Sequence, residues 1–148
     1  MKVLLGILIL MLWNPISYRE DFKVLKSIEA RQLNCLVKNA LHEASGEGRI
    51  GRLLVTNVVF NRTSDGNYCK TIYEYKQFSW TLYEEKQFDL NSRLRAKYEI
   101  LEYYNNNSAI PRHLKHATHF HATYVKPKWR KKMDYLGQWG NHHFYQER

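Results

Sequence analysis

The sequence predicts an α+β fold, a mainly helical body followed by a small C-terminal antiparallel β-sheet. Three observations carry this. Leu33, Leu36, Val37, Ala40, Leu41 and Ala44 recur at helical spacing. Two further apolar stretches, Ile50 to about Asn61 and Leu94 to Tyr104, have helical length. The segment Ala117-Thr118-His119-Phe120-His121-Ala122-Thr123-Tyr124 alternates in character, as a half-buried strand does.

Each element has its own reason. Residues 19–32 are charged and mildly periodic and read as a connecting helix. In the helix from Leu33, the six apolar residues fill an arc of roughly 140° at about 100° per residue. Glu43 falls about 20° outside that arc, and His42 falls toward solvent. Gly46 and Gly48 then end the helix. Leu53, Leu54, Val55, Val58 and Val59 are too apolar for a surface helix, so the second helix is the central buried one. Its β-branched content leaves a strand as the alternative. Thr63 to Asn67 is a turn, and Cys69 to Tyr75 a short helical turn. Gln77-Phe78-Ser79-Trp80 has no regular period and reads as a loop or edge segment. The third helix carries Leu94, Tyr98 and Leu101 on one face and stops at Asn105-Asn106-Asn107-Ser108. In the strand, His119, His121 and Thr123 share one face and Phe120, Ala122 and Tyr124 the other. Pro127 ends it, and Gly140-Asn141-His142-His143-Phe144-Tyr145 is its candidate partner.

The chain has 148 residues, room for one domain plus a leader. Its net charge of +9 favours an anionic partner: nucleic acid, membrane headgroups or an acidic wall polymer. The densest basic run, Lys126 to Lys132, has no helix-turn-helix, RNP or zinc-finger pattern beside it, so no nucleic-acid partner is expected. After Met1-Lys2, the apolar run Val3–Trp13 is shorter than the roughly 20 residues that span a bilayer and suits the core of a secretory signal. Asn14 to Tyr18 lacks a small-x-small cleavage pattern. Residues 1–18 therefore read as a signal peptide or membrane anchor making transient membrane contact. Residues 19–148 read as one exported, monomeric domain of the periplasm, wall or extracellular space. Cys35 and Cys69 match no zinc motif. In an exported chain they can pair, contributing up to roughly 4 kcal/mol; in a reducing cytosol they stay buried thiols.

Three constellations could carry chemistry. His42-Glu43 begins the zinc-protease pattern H-E-x-x-H, but Gly46 stands at the fifth position and removes it. His119 and His121, with one of His142 and His143, could bind zinc as in amidases that cut peptide from glycan; the simpler reading makes them stacking and hydrogen-bonding residues. Glu43 could merely pair with Arg49 or Arg52. Placed half in the core, it could instead have the raised pKa of a general acid.

In order along the chain, these segments resemble the cell wall hydrolase family typified by the spore cortex-lytic enzyme SleB. Glu43-Ala44-Ser45-Gly46-Glu47 is similar to its Glu-Ala-Arg-Gly-Glu, with Ser45 in place of Arg. Val58-Val59-Phe60-Asn61-Arg62 is similar to its Val-Val-Leu-Asn-Arg, followed by Cys69. Gln77-Phe78-Ser79-Trp80 matches, and Ala117-Thr118-His119-Phe120 and Gly140 to Tyr145 resemble its closing motifs; His121 stands where an aromatic is usual. The resemblance implies a lysozyme-like fold and lytic transglycosylation of peptidoglycan glycan strands, without a cofactor. Glu43 would be the catalytic acid and base, with Glu47 the nearest second carboxylate. Gln77, Phe78, Ser79, Trp80, Thr118, His119, Phe120, Asn141 and His142 would bind substrate. A zinc-dependent N-acetylmuramoyl-L-alanine amidase and a non-catalytic basic wall-binding protein are the alternatives.

Overall fold

Helical spacing of apolar residues builds the first element, α1 (Ala30–Ala44), which buries Leu33, Cys35, Leu36, Val37, Ala40, Leu41 and Ala44. The structure, a computed structural model, describes residues 26–74, 77–83, 86–106 and 109–148. The expected leader over residues 1–18 lies outside them. So does most of the expected connecting helix over 19–32, and its described part differs from expectation: residues 26–29 are not helical and α1 starts at Ala30.

After a tight corner, α2 (Gly48–Arg62) runs through the centre. Every residue from Gly51 to Val59 is buried, all round the helix. A helix that is apolar on every side is stable only when surrounded, and α1, α3 (Tyr68–Tyr73) and α4 (Leu90–Asn106) surround it. The strand alternative for this stretch is thereby excluded.

Cys35 and Cys69 form a disulfide that ties α1 to α3. Closing 34 residues of chain contributes about 4 kcal/mol in the chain-entropy model. Reduction is therefore expected to lower the unfolding free energy by about that amount, read as a shift of the urea midpoint with and without reductant. An unchanged midpoint would show that the bridge adds nothing.

α4 corrects an expectation. Leu94, Tyr98 and Leu101 do share a face, but Leu94 and Tyr98 point to solvent, 52% and 68% exposed. The core face is Ala96, Glu99, Ile100 and Tyr103. Glu99 is tolerated there because the Arg52 guanidinium meets its carboxylate twice, at 2.8 and 2.7 Å.

The C-terminal part forms a three-stranded antiparallel sheet in the order β1 (His119–Ala122), β3 (His142–Glu147), β2 (Met133–Trp139). β1 and β3 are the two anticipated strands; β2 was not anticipated and is the other partner of β3. Phe120 and Phe144 stand opposite each other in the register and pack on Phe78 and on Leu54, Val58 and Leu114. This apolar sheet face seats the sheet on the helices. The chain is thus of the expected α+β class.

Candidate functional site

Glu43 sits in the last turn of α1 and is half-buried. Neither arginine that could have neutralised it does so: Arg49 pairs with Glu102 at 2.8 Å and Arg52 with Glu99. No hydrogen bond or ion pair reaches the Glu43 carboxyl among the described residues. Burial alone therefore acts on it, and its pKa is raised from 4.5 to about 7. Removing a carboxylate from water without a compensating cation favours the neutral acid.

Trp80 is brought to the same turn of α1. Its indole N–H donates to Asn39 Oδ1 at 2.9 Å, and Asn39 lies one helical turn before Glu43. Trp80 also stacks on His42, with centroids 4.1 Å apart and planes 3° from parallel, while Phe88 meets His42 edge-on at 5.0 Å. His42 is thus half-buried in an aromatic sandwich rather than turned to solvent, as the helix angle alone predicts. Gln77-Phe78-Ser79-Trp80 is a bend leading into a short 3-10 helix, Ser79–Leu82. Gln77 accepts a hydrogen bond from Arg62, and Ser79 is exposed. Phe78 is 3% exposed and belongs to the core, so it supports the segment from beneath.

Glu47 occupies a different environment, at the corner between α1 and α2. Its Oε1 accepts from the backbone N–H of Asn141 at 2.9 Å, and its Oε2 lies 3.0 Å from His142 Nδ1. The second contact is close but poorly directed, so neither atom makes a well-formed hydrogen bond there. Two glycines make room. A Cβ on Gly140 would stand 2.8 Å from Glu47 Oε2, and Gly140 holds φ +51, where side chains are strained. A Cβ on Gly51 would lie 2.4 Å from the Glu47 Cβ. Glu47 is therefore a bolt between the helical corner and the β2–β3 turn.

The sheet divides the remaining predicted residues between its faces. His142 and Phe120 meet edge-on at 5.0 Å on the face toward the helices. His119, His121, His143 and Tyr145 share the opposite face, where Trp129 packs against His119, His121 and Tyr145. His121 Nδ1 donates to Ala122 O, and its Nε2 pairs with the Tyr145 hydroxyl at 3.0 Å. Burial holds the His119 imidazole below its usual pKa, helped by Arg62 and opposed by Glu147. Burial likewise lowers His143, with His121 and Arg130 adding to the effect. Thr118 Oγ1 accepts from Glu147 N–H and contacts His119 Nδ1, tying the end of the sheet. Among the described residues no three His, Cys, Asp or Glu side chains are arranged to hold a metal. The register does gather His119, His121 and His143 on one face, but both ring nitrogens of His121 are already engaged, by Ala122 O and the Tyr145 hydroxyl.

Asn39, His42 and Gly140 were not singled out as site residues from the sequence. Asn39 could have been found as the one polar residue interrupting the buried arc of α1. The contacts of Gly140 depend on a residue 93 positions away and have no local signal.

A family model for cell wall hydrolases matches residues 46–145. That span includes Glu47 and begins just after Glu43. Among solved structures, the catalytic domain of the Bacillus cereus SleB protein superposes with a TM-score of 0.65 at 20% identity, covering 82% of this chain and 94% of that one. The catalytic domain of the germination-specific lytic transglycosylase SleB from Bacillus anthracis gives a TM-score of 0.60 at 20% identity, covering 80% and 96%. At that identity the likeness establishes a shared fold. No curated protein matches the chain.

Proposed function

Because the chain belongs to the cell wall hydrolase family, we propose that it degrades peptidoglycan, cutting the MurNAc–GlcNAc bond as a lytic transglycosylase with Glu43 as acid and base. The observation that carries this reading is the Glu43 carboxyl, titrating at about 7 through burial. Near neutral pH such a group is divided between acid and base, which suits a residue that must first give a proton and then take one.

In the first half-reaction the protonated Glu43 donates to the glycosidic oxygen as the C1–O bond breaks and charge builds on the sugar. In the second, the Glu43 carboxylate takes the proton of the muramic C6 hydroxyl. That oxygen bonds to C1 and closes a 1,6-anhydro ring. No water is consumed, and Glu43 returns to its acid form. A hydrolytic route would use a second carboxylate, and Glu47 is the near candidate. Its Oε1 is held by the Asn141 N–H and its Oε2 is buried against His142, so in this reading it is a positioning residue. In this reading Trp80, which stacks on His42, the residue before Glu43, offers its other face to a sugar ring. Residues 1–18 are proposed as the export signal or membrane anchor that takes the enzyme to the wall.

The test is mass spectrometry of the products from purified sacculi. Anhydro-muramic ends are expected. Reducing ends would replace the transglycosylase by a hydrolase, free stem peptides would replace it by an amidase, and binding without products would leave only a wall-binding protein. The pH dependence follows from the first step, which needs Glu43 protonated. kcat/KM is expected to fall tenfold per pH unit above about 7. A descending limb near the ordinary carboxyl value would remove Glu43 from the acid role.

Glu47→Gln separates its two roles. The amide keeps an oxygen for the Asn141 N–H but loses the charge facing His142. A loss of about 1–3 kcal/mol in stability is expected, with activity retained within about tenfold of wild type. A drop matching that of Glu43→Gln, with stability unchanged, would make Glu47 a second catalytic carboxylate.

A further inference from the structure

A furrow of two chambers lies at the far end of α2 from Glu47. Asn61 stands 13 residues beyond Gly48, about 20 Å along the helix. The first chamber, of about 310 Å³, is walled by Phe60, Tyr68, Tyr103 and Tyr104, with Asn61 and His116 at its edge. The second, of about 330 Å³, shares Tyr68 and Tyr104 with the first and continues past Gln32, Asp65 and Asn67. Each is at the small end of the range for ligand pockets.

The walls are preformed. Phe60 packs on Tyr68 at 5.2 Å and on Tyr104 at 5.7 Å. The amide nitrogens of Asn57 and Asn61 both donate to Lys115 O at 2.9 Å, and the Tyr103 hydroxyl donates to Asn57 Oδ1. Gln32 Oε1 accepts from Cys69 N–H, and Asn67 Oδ1 from Lys70 N–H. After these bonds, Asn61 Oδ1, the amide nitrogens of Gln32 and Asn67, and one Asp65 oxygen have no partner among the described residues. Both chambers thus combine aromatic faces with spare amide donors and acceptors; Lys115 also lines the first, and the Glu29 and Asp65 carboxylates line the second. That chemistry suits a ring with apolar C–H faces and equatorial hydroxyl and acetamido groups more than it suits an anion.

We infer that this furrow is a second, non-catalytic glycan site, binding two consecutive N-acetylated amino-sugar rings across the Tyr68–Tyr104 pair. The identity of the ligand rests on the proposed glycan-cleaving function; the site itself rests on the furrow. It gives the enzyme a hold on the polymer remote from Glu43, so that a strand is retained between cuts.

The test uses the full chain with Glu43→Gln, isotopically labelled and titrated with the β-1,4-linked tetrasaccharide of N-acetylglucosamine. Saturable NMR shifts are expected at the side-chain amides of Asn61, Gln32 and Asn67, and to persist in high salt. Tyr104→Ala, made in the same chain, is expected to weaken binding at these amides about tenfold or more while shifts near Trp80 remain. Tyr104 is partly buried, so Asp65→Ala, at an exposed position, supplies a second variant expected to weaken the same shifts. Shifts confined to the Trp80 region, shifts abolished by salt, or furrow shifts produced only by a wall stem peptide would each overturn the inference. The two readings fail separately. Silent furrow amides with an inactive Glu43→Gln enzyme remove the furrow alone. Furrow shifts with a fully active Glu43→Gln enzyme remove the role of Glu43 alone.

Discussion

Replacing Glu43 by glutamine is expected to lower sacculus degradation about 10²–10⁴-fold, the contribution of a general acid–base group, and to make the folded protein more stable above neutral pH. The two effects have one cause. Burial raises the Glu43 pKa from 4.5 to about 7, so the folded state holds its proton more tightly than the unfolded chain does. Below about pH 4.5 the group is neutral in both states and costs nothing. As pH rises through 4.5 the unfolded chain ionises first, and stability falls until the folded group also ionises near 7. Above that the loss is complete, roughly 3 kcal/mol at most. Glutamine has the same shape and no charge, so it escapes the loss. Urea unfolding of both proteins at pH 4.5 and pH 8 is the measurement. Near-equal stability at the lower pH is expected, with the variant ahead at the higher. Equal stability at pH 8 would mean that the carboxylate is well solvated, and the proposed acid would lose its physical basis.

Replacing Glu99 by alanine is expected to destabilise the protein by about 3–5 kcal/mol, the usual cost of stranding one partner of a buried ion pair. Arg52 lies in the second turn of α2 and is 8% exposed; Glu99, on α4, is 6% exposed. Their paired contact satisfies two guanidinium N–H groups and both carboxylate oxygens. Without Glu99, the buried Arg52 charge loses the partner that both of its hydrogen-bonding N–H groups use. The melting temperature is expected to fall by roughly 10 °C or more. Replacing both residues by apolar ones of similar volume recovers much of the loss, because desolvation of the pair offsets most of its attraction. A single variant as stable as wild type would show that water reaches the pair. The pair also occupies the Arg52 guanidinium, so that charge does not neutralise Glu43. A Glu43 carboxylate beside a free arginine would have a lowered pKa, not a raised one.

The parts of the fold that can be read without coordinates are those set by local spacing. The apolar series from Leu33 to Ala44 describes α1 to within a few residues, and alternation around Phe120 describes β1. Both patterns arise because one side of the element is buried and the other is not. Where that contrast is missing, local reading fails. β2, with Met133-Asp134-Tyr135-Leu136-Gly137-Gln138-Trp139, has a register shift between Tyr135 and Gly137. A bulge breaks the two-residue period that would mark the strand. On α4 the large side chains of Leu94 and Tyr98 outweigh Ala96 and Glu99 in any sequence pattern, yet the smaller pair faces the core. Ala96 is there because neighbouring helices approach closely, and Glu99 because Arg52 awaits it.

The same division runs through the candidate site. Local spacing alone puts Glu43 at the border of an apolar arc, near the end of a helix stopped by glycines. That follows from the fixed 100° step of the α-helix. Whether Glu43 would be neutralised by Arg49 or Arg52, and whether Glu47 would be free beside it, was decided only by the tertiary structure. Those outcomes turn on Glu102 and Glu99, 53 and 47 residues away, and on Asn141, 94 residues away. Ionic and hydrogen-bond partners of that kind are chosen by packing of whole helices and strands. No local pattern of residues carries them.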